Sequence, residues 1–163
     1  MIIIGFVFYI GYFGIKHENV FTNHNDTHKM DFEKENAEEK YKKSGIKPAE
    51  ASNIFKKLLQ VMADEKPYLD SKLSLVALAK ILDVSPNQLS QIINQKAKVN
   101  FHDFINAYRV EEFIQNANKN KSFSLLALAL DSGFNSKSSF NTIFKKQKGV
   151  TPSQFLAKQS KQQ

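Results

Sequence analysis

The sequence predicts an all-α fold, and three observations carry that expectation. From Pro48 onward apolar residues recur at helical spacing, and no run alternates at the two-residue period of a strand. Glycine and proline number only six and four in 163 residues, too few for a turn-rich β architecture. One pattern also occurs twice: Ser74-Leu75-Val76-Ala77-Leu78-Ala79 returns as Ser124-Leu125-Leu126-Ala127-Leu128-Ala129. The likeness continues downstream, where Leu89, Ile92, Ile93, Val99 and Phe104 have counterparts in Phe140, Ile143, Phe144, Val150 and Phe155, with one residue inserted in the second copy.

Taken in order, the chain opens on Met1–Ile15, an apolar run closed by Lys16 and His17. A bilayer-spanning helix needs roughly 20 apolar residues, so the run is short. Residues 1–17 read first as the end of a transmembrane helix that starts upstream, with Tyr9, Tyr12 and Phe13 at a membrane interface. A signal peptide is a second reading, without its basic start or small-residue cleavage site; a buried core helix is a third. If the run spans, the Lys-rich remainder is a cytoplasmic part tethered to the inner membrane. Residues 18–48 read as a charged linker. Glu38 and Lys42, like Glu39 and Lys43, are spaced to support a solvated helix. Phe32, Ala37 and Tyr41 are too sparse an apolar set for a coiled coil.

Residues 49–118 are expected to form a first helix–turn–helix subdomain with a long linker helix, residues 119–158 a second subdomain, and residues 159–163 a tail. Ala51, Ile54, Leu58, Val61 and Met62 share one helix face, and Pro67 stops that helix. Ser74 caps a short helix to about Leu82, and Ser85 caps the next, with Pro86 at its favoured first position. Asn100 starts a longer helix carrying Phe101, Phe104, Ile105, Tyr108 and Phe113. Ser124 opens the second copy, Gly133 breaks it, and a helix follows from about Lys137 to Gln147. Gly149 suits the positive φ of a helix end, and Thr151-Pro152 opens a last helix with Phe155 and Leu156.

The net charge of +7 is unevenly placed. Residues 16–53 hold seven Lys against eight acids, whereas residues 54–163 hold fifteen Lys and one Arg against eight acids. After Asp131 there is no acid, but there are Lys137, Lys145, Lys146, Lys148, Lys158 and Lys161. This is the footprint of a polyanion binder. A solvated lysine-rich surface gives the same count, so the motifs decide. The absence of cysteine excludes a disulfide framework and a thiolate metal site.

In a helix–turn–helix the first helix buttresses and the second lies in the major groove. In the first copy Leu75, Leu78, Ala79 and Leu82 pack inward, and the turn runs through Asp83-Val84-Ser85. The second copy turns through Ser132-Gly133-Phe134-Asn135, with Val84 and Phe134 plugging the two cores. With Leu89, Ile92 and Ile93 inward, Asn87, Gln88, Ser90, Gln91, Asn94 and Gln95 are left facing out. With Phe140, Ile143 and Phe144 inward, Lys137, Ser138, Asn141, Thr142 and Lys145 are left out. Asn and Gln can bond adenine bidentately, and Ser and Thr can bond bases or phosphates. Lys96, Lys98, Lys146 and Lys148 are expected at phosphates, where a contact positions without specifying sequence. The amide-rich first head is expected to discriminate bases and the Lys-rich second head mainly to grip the backbone.

The stretch Gly133-Phe134-Asn135-Ser136-Lys137-Ser138-Ser139-Phe140-Asn141-Thr142-Ile143-Phe144-Lys145-Lys146, with Gly149-Val150-Thr151-Pro152-Ser153-Gln154-Phe155, resembles the signature of AraC-type (AraC/XylS) transcriptional regulators. The first copy is similar, from Leu89-Ser90 to Phe104-Ile105 and Arg109, and the likeness covers about residues 54–158. It implies a seven-helix bundle of two helix–turn–helix subdomains joined by a linker helix at about residues 101–117. Ser139, Thr142 and Leu156-Ala157 depart from the aromatic and arginine residues common there. The flanks, with a hydrophobic segment and Tyr41-Lys42-Lys43-Ser44-Gly45, are similar to membrane-tethered members of Bacteroidetes-like bacteria.

The expected function is therefore sequence-specific binding of double-stranded DNA by a transcriptional regulator, with two recognition helices in successive major grooves. RNA polymerase and, through residues 1–15, a membrane are further expected partners. The alternative is a membrane-anchored helical adaptor that binds protein. No enzyme, cofactor or metal is expected: no catalytic grouping can be read, and His24 and His28 around Asp26 lack further ligands. His102 reads as a surface or groove-side residue. Arg109 reads as an ion-pair partner of Glu111, Glu112 or Asp103, with a phosphate contact as the alternative.

Overall fold

The computed structural model describes residues 46–120 and 122–159. Among them lie seven α-helices and no strand: α1 Pro48–Asp64, α2 Leu75–Leu82, α3 Pro86–Ala97, α4 Phe101–Lys119, α5 Leu125–Asp131, α6 Lys137–Lys148 and α7 Pro152–Gln159, with a 3-10 turn at Pro67–Leu69. The all-α expectation stands. No helix of the described residues is long and apolar enough to cross a membrane. The apolar run Met1–Ile15, the charged linker up to residue 45 and the His24–His28 pair lie outside the described residues.

Short polar residues fix where the helices start. Ser74, Ser85, Asn100, Ser124 and Ser136 each accept a hydrogen bond from the backbone N–H three residues on, at 2.8–3.2 Å. Such a cap satisfies a donor that the helix leaves orphaned and is worth about 1 kcal/mol. At Ser85 the bond is reciprocated, because the Gln88 amide oxygen accepts from the Ser85 N–H at 3.0 Å. Thr151 and Gln154 repeat the exchange at the start of α7.

Two cores share one helix. Leu58, Met62, Tyr68, Leu78, Leu82, Leu89 and Ile93 pack with Phe104 and Ile105 from the first half of α4. Val110, Phe113 and Ile114 from its second half pack with Leu128, Ala129, Phe134, Phe140 and Phe144. The second core is strongly aromatic. The Phe113 ring lies 4.6 Å from that of Phe140 and 5.6 Å from that of Phe144, and Phe134 and Phe155 close the cluster edge-on. These separations suit tilted and edge-to-face ring packing. At about 1.5 Å per residue, α4 is a strut roughly 28 Å long to which both halves are fastened.

Candidate nucleic-acid interface

The duplicated sequence folds into duplicated geometry. Helix α2 leads through a tight turn to α3, and α5 leads through another to α6. At the first turn the Val84 N–H donates to the Ala79 carbonyl at 3.1 Å; at the second the Phe134 N–H donates to the Ala129 carbonyl at 3.1 Å. One residue before each, Asp83 and Gly133 take left-handed conformations, with φ of 58° and 91°. Both turns are thus the same helix-end motif, in which a left-handed residue lets the chain reverse and satisfy the last carbonyls. The inserted residue of the second copy is accommodated between the plug and the next cap. Val84 is followed at once by the cap Ser85, whereas Phe134 is followed by Asn135 and then by Ser136.

The exposed side of α6 carries the residues expected there: Lys137, Ser138, Asn141, Thr142 and Lys145 are all exposed. Helix α3 differs. Asn87 and Gln95 are exposed, Gln88, Ser90 and Asn94 are half-buried, and Gln91 is buried, with only 8% of its surface accessible. The expected outward Gln91 is therefore corrected. Helix α3 packs against α1 and α4 as well as α2, which covers more of its circumference than a one-faced reading allows. Gln88 also has a structural task, since its amide oxygen closes the cap at Ser85. His102 is exposed, as expected.

The lysines expected at phosphates divide into two kinds. Lys98 is exposed and ends α3 in a left-handed conformation, and Lys96 is exposed with its ammonium donating to the Ser52 hydroxyl at 2.9 Å. Lys146 pairs with Asp103 at 2.9 Å on an exposed surface. Lys148 is otherwise: its side chain is 9% accessible, pairs with Glu111 and stands 5.9 Å from the centre of the Phe155 ring. It fastens the end of α6 to α4, and an outward Lys148 is corrected on that ground. Both ion pairs draw on acids of α4, Asp103 for Lys146 and Glu111 for Lys148.

Arg109 does not form the ion pair with Glu111, Glu112 or Asp103 that its position suggests. Its Nε donates to the Tyr68 carbonyl and its Nη2 to the Asp70 carbonyl, both at 2.8 Å. The neighbouring acids have other partners: Glu112 takes the Lys66 ammonium at 2.9 Å and the Tyr68 hydroxyl at 3.0 Å, and Glu111 takes Lys148. Burial lowers the pKa of the guanidinium, an effect opposed by the nearby Asp70 carboxylate. Gly133, in the turn of the second unit, is seated on the same spot. A Cβ there would collide with the Tyr68 carbonyl oxygen and come within 3.0 Å of Arg109 Nε and 3.1 Å of Leu69 Cα. Sequence reasoning took Gly133 for a helix breaker and passed over Tyr68 and Asp70. A conspicuous lone arginine was the available signal; its acceptors are backbone atoms, which no side-chain pattern announces.

Comparison with known proteins agrees with this geometry. Residues 78–158 match the family model described as a helix-turn-helix domain. The uncharacterized transcriptional regulatory protein YesN of Bacillus subtilis (strain 168) is 29% identical over 110 residues, which span 66% of this chain and 29% of that protein. The chain thus matches less than a third of the length of this curated relative. Among solved structures, the C-terminal domain of AraT, a response regulator from Geobacillus stearothermophilus, is similar with a TM-score of 0.56 and 28% identity, over 69% of this chain and 86% of that one. The C-terminal domain of the two-component response regulator yesN from Fusobacterium nucleatum is similar with a TM-score of 0.55 and 26% identity, over 63% of this chain and 97% of that one.

Proposed function

We infer that the chain, whose residues 78–158 form a helix-turn-helix domain of the AraC type, is the DNA-binding part of a transcriptional regulator. Helices α3 and α6 enter successive major-groove segments of one duplex, and α4 sets their separation. The observation that carries this is the pair of matching turns, each followed by a capped helix with polar residues on its outer side. Asn141, Thr142 and Ser138 of the second head reach base edges, with Asn87, Ser90 and Asn94 of the first. Lys137, Lys145, Lys96 and Lys98 reach phosphates, which fix register without reading sequence. With Gln91 turned inward and the α6 face fully open, base reading falls to both heads rather than to the first alone.

The exposed Lys146 adds to the phosphate contacts when a phosphate oxygen replaces the Asp103 carboxylate. Residues 1–15 tether this DNA-binding part to a membrane, which leaves it on the cytoplasmic side; this rests on the apolar run in the sequence, and partition of the chain into a carbonate-washed membrane fraction tests it. RNA polymerase is the partner a DNA-bound regulator would engage. No observation on the described residues favours a protein-binding adaptor.

Titration of a labelled duplex by anisotropy at several salt concentrations tests the proposal. DNA binding through phosphates predicts log–log salt dependence with a slope near −0.9 per contact, by the order of magnitude general for B-DNA. Absence of salt-sensitive binding at low ionic strength would remove the proposal.

A further inference from the structure

We propose that Arg109 is a positioning residue that sets the spacing at which the two heads read DNA. The inference rests on the two-head reading above and goes beyond it, because Arg109 touches neither exposed recognition face.

The argument starts from how the halves are joined. Each head packs on its own half of α4, so a helix alone would leave each head one line of attachment and freedom to rock about it. The loop at Tyr68–Asp70 belongs to the first head and crosses to the side of α4 where the second head turns. There Arg109 holds the loop by two backbone carbonyls in one fork, at 2.8 Å each. A guanidinium is suited to this, since its planar donors are fixed relative to one another, whereas an ammonium's three donors rotate on a flexible stem. The loop is held a second time by Glu112, which takes both the Lys66 ammonium and the Tyr68 hydroxyl. Gly133 of the second head is then seated against the immobilised Tyr68 carbonyl, Leu69 and Arg109 Nε. First-head loop, linker helix and second-head turn meet at this one point, and it braces the heads against rotation about α4.

The brace is made of polar contacts to backbone atoms on a half-buried helix face; Arg109 itself belongs to neither apolar core, although the Tyr68 ring belongs to the first. Arg109→Met keeps an unbranched apolar stem and removes both donors. It is therefore expected to leave each head folded and to release one from the other.

The test uses the full 163-residue chain and has two arms. In the first, which contains no DNA, Asn87→Cys and Ser138→Cys are introduced into the cysteine-free chain and spin-labelled, one on each recognition helix. The Arg109 protein is expected to give one narrow distance distribution and the Arg109→Met protein a broadened one, with unchanged helical circular dichroism. In the second arm both proteins select duplexes from a random library. The Arg109 protein is expected to recover two half-motifs at one separation, preferred about ten-fold over neighbouring separations, the scale on which fixed geometry favours simultaneous engagement. Arg109→Met is expected to recover the same half-motifs with that preference reduced to about two-fold or less. If Arg109→Met loses helicity, Tyr68→Phe, which removes only the bond to Glu112, is expected to move both readouts in the same direction by less. An unchanged distance distribution, or an unchanged separation preference in a folded variant, overturns the proposal. Failure of the Arg109 protein to recover any motif would instead count against the DNA-binding reading, while the spin-label distances still decide on the brace.

Discussion

Gly133 is seated on the carbonyl oxygen of Tyr68, closely enough that no side chain can be placed between them. The residue also holds a φ of 91°, which L-residues rarely adopt. Two independent penalties thus fall on Gly133→Ala, left-handed strain and overpacking against backbone. Together they are expected to destabilise the chain by about 2–4 kcal/mol. Urea unfolding should show a lower midpoint with an unchanged slope. Gly149, with a φ of 76° and open space around its Cβ, carries only the first penalty, so Gly149→Ala should destabilise less.

The matching caps of the two recognition helices predict a graded loss. Ser136→Ala removes the hydroxyl that accepts from the Ser139 N–H, and a loss of about 1 kcal/mol follows. Ser85→Ala removes one bond of a reciprocal pair and should lose a similar amount. Gln88→Ala should also lower stability, because its oxygen caps Ser85. A change at Gln88 that weakened DNA binding with unchanged thermal stability would contradict the structural task assigned to it.

Lysines only three residues apart in sequence should separate by assay. Lys145 is exposed, so Lys145→Ala should weaken binding to all duplexes alike and reduce the salt slope by about 1. Lys148→Ala should leave the salt slope unchanged. It should instead lower the unfolding free energy, since Glu111 and the Phe155 ring lose their partner on a poorly accessible surface. Anisotropy at several salt concentrations, alongside thermal melts, distinguishes the two outcomes.

Alkaline stability follows from the phenols of the buried Tyr68 and the half-buried Tyr108. Burial raises the Tyr68 and Tyr108 pKa values well above the usual tyrosine range, and for Tyr68 the bond to the Glu112 carboxylate adds to the effect. In the unfolded chain both ionise near the ordinary value of about 10, while in the fold both stay protonated. Their contribution is complete below about pH 10 and is lost as pH rises from there towards the folded values. Urea melts from about pH 8 to about pH 11 should therefore show stability falling at the upper end, and less steeply in Tyr68→Phe.

Much of the fold was readable because local chemistry and global fold agree. Ser74, Ser85, Asn100 and Ser124 cap the helices expected after them, and the repeat folds into two equivalent turns. The second recognition face was readable because five polar residues alternate cleanly with Phe140 and Phe144. The first was less so. Gln91 is polar and lies between apolar neighbours, but packing against three helices covers it. The brace at Arg109 was not readable, since its partners are carbonyls 39 and 41 residues away that carry no side-chain signature. Lys148 misled for a related reason: a charge run reads as surface until a distant Glu111 is brought beneath it.

The most direct test of the two-head account is hydroxyl-radical footprinting of the full chain on a duplex recovered by selection. The account predicts two protected stretches on one face of the duplex, about one helical turn or roughly 34 Å apart. A single protected stretch, or two whose separation does not match one turn, would contradict it.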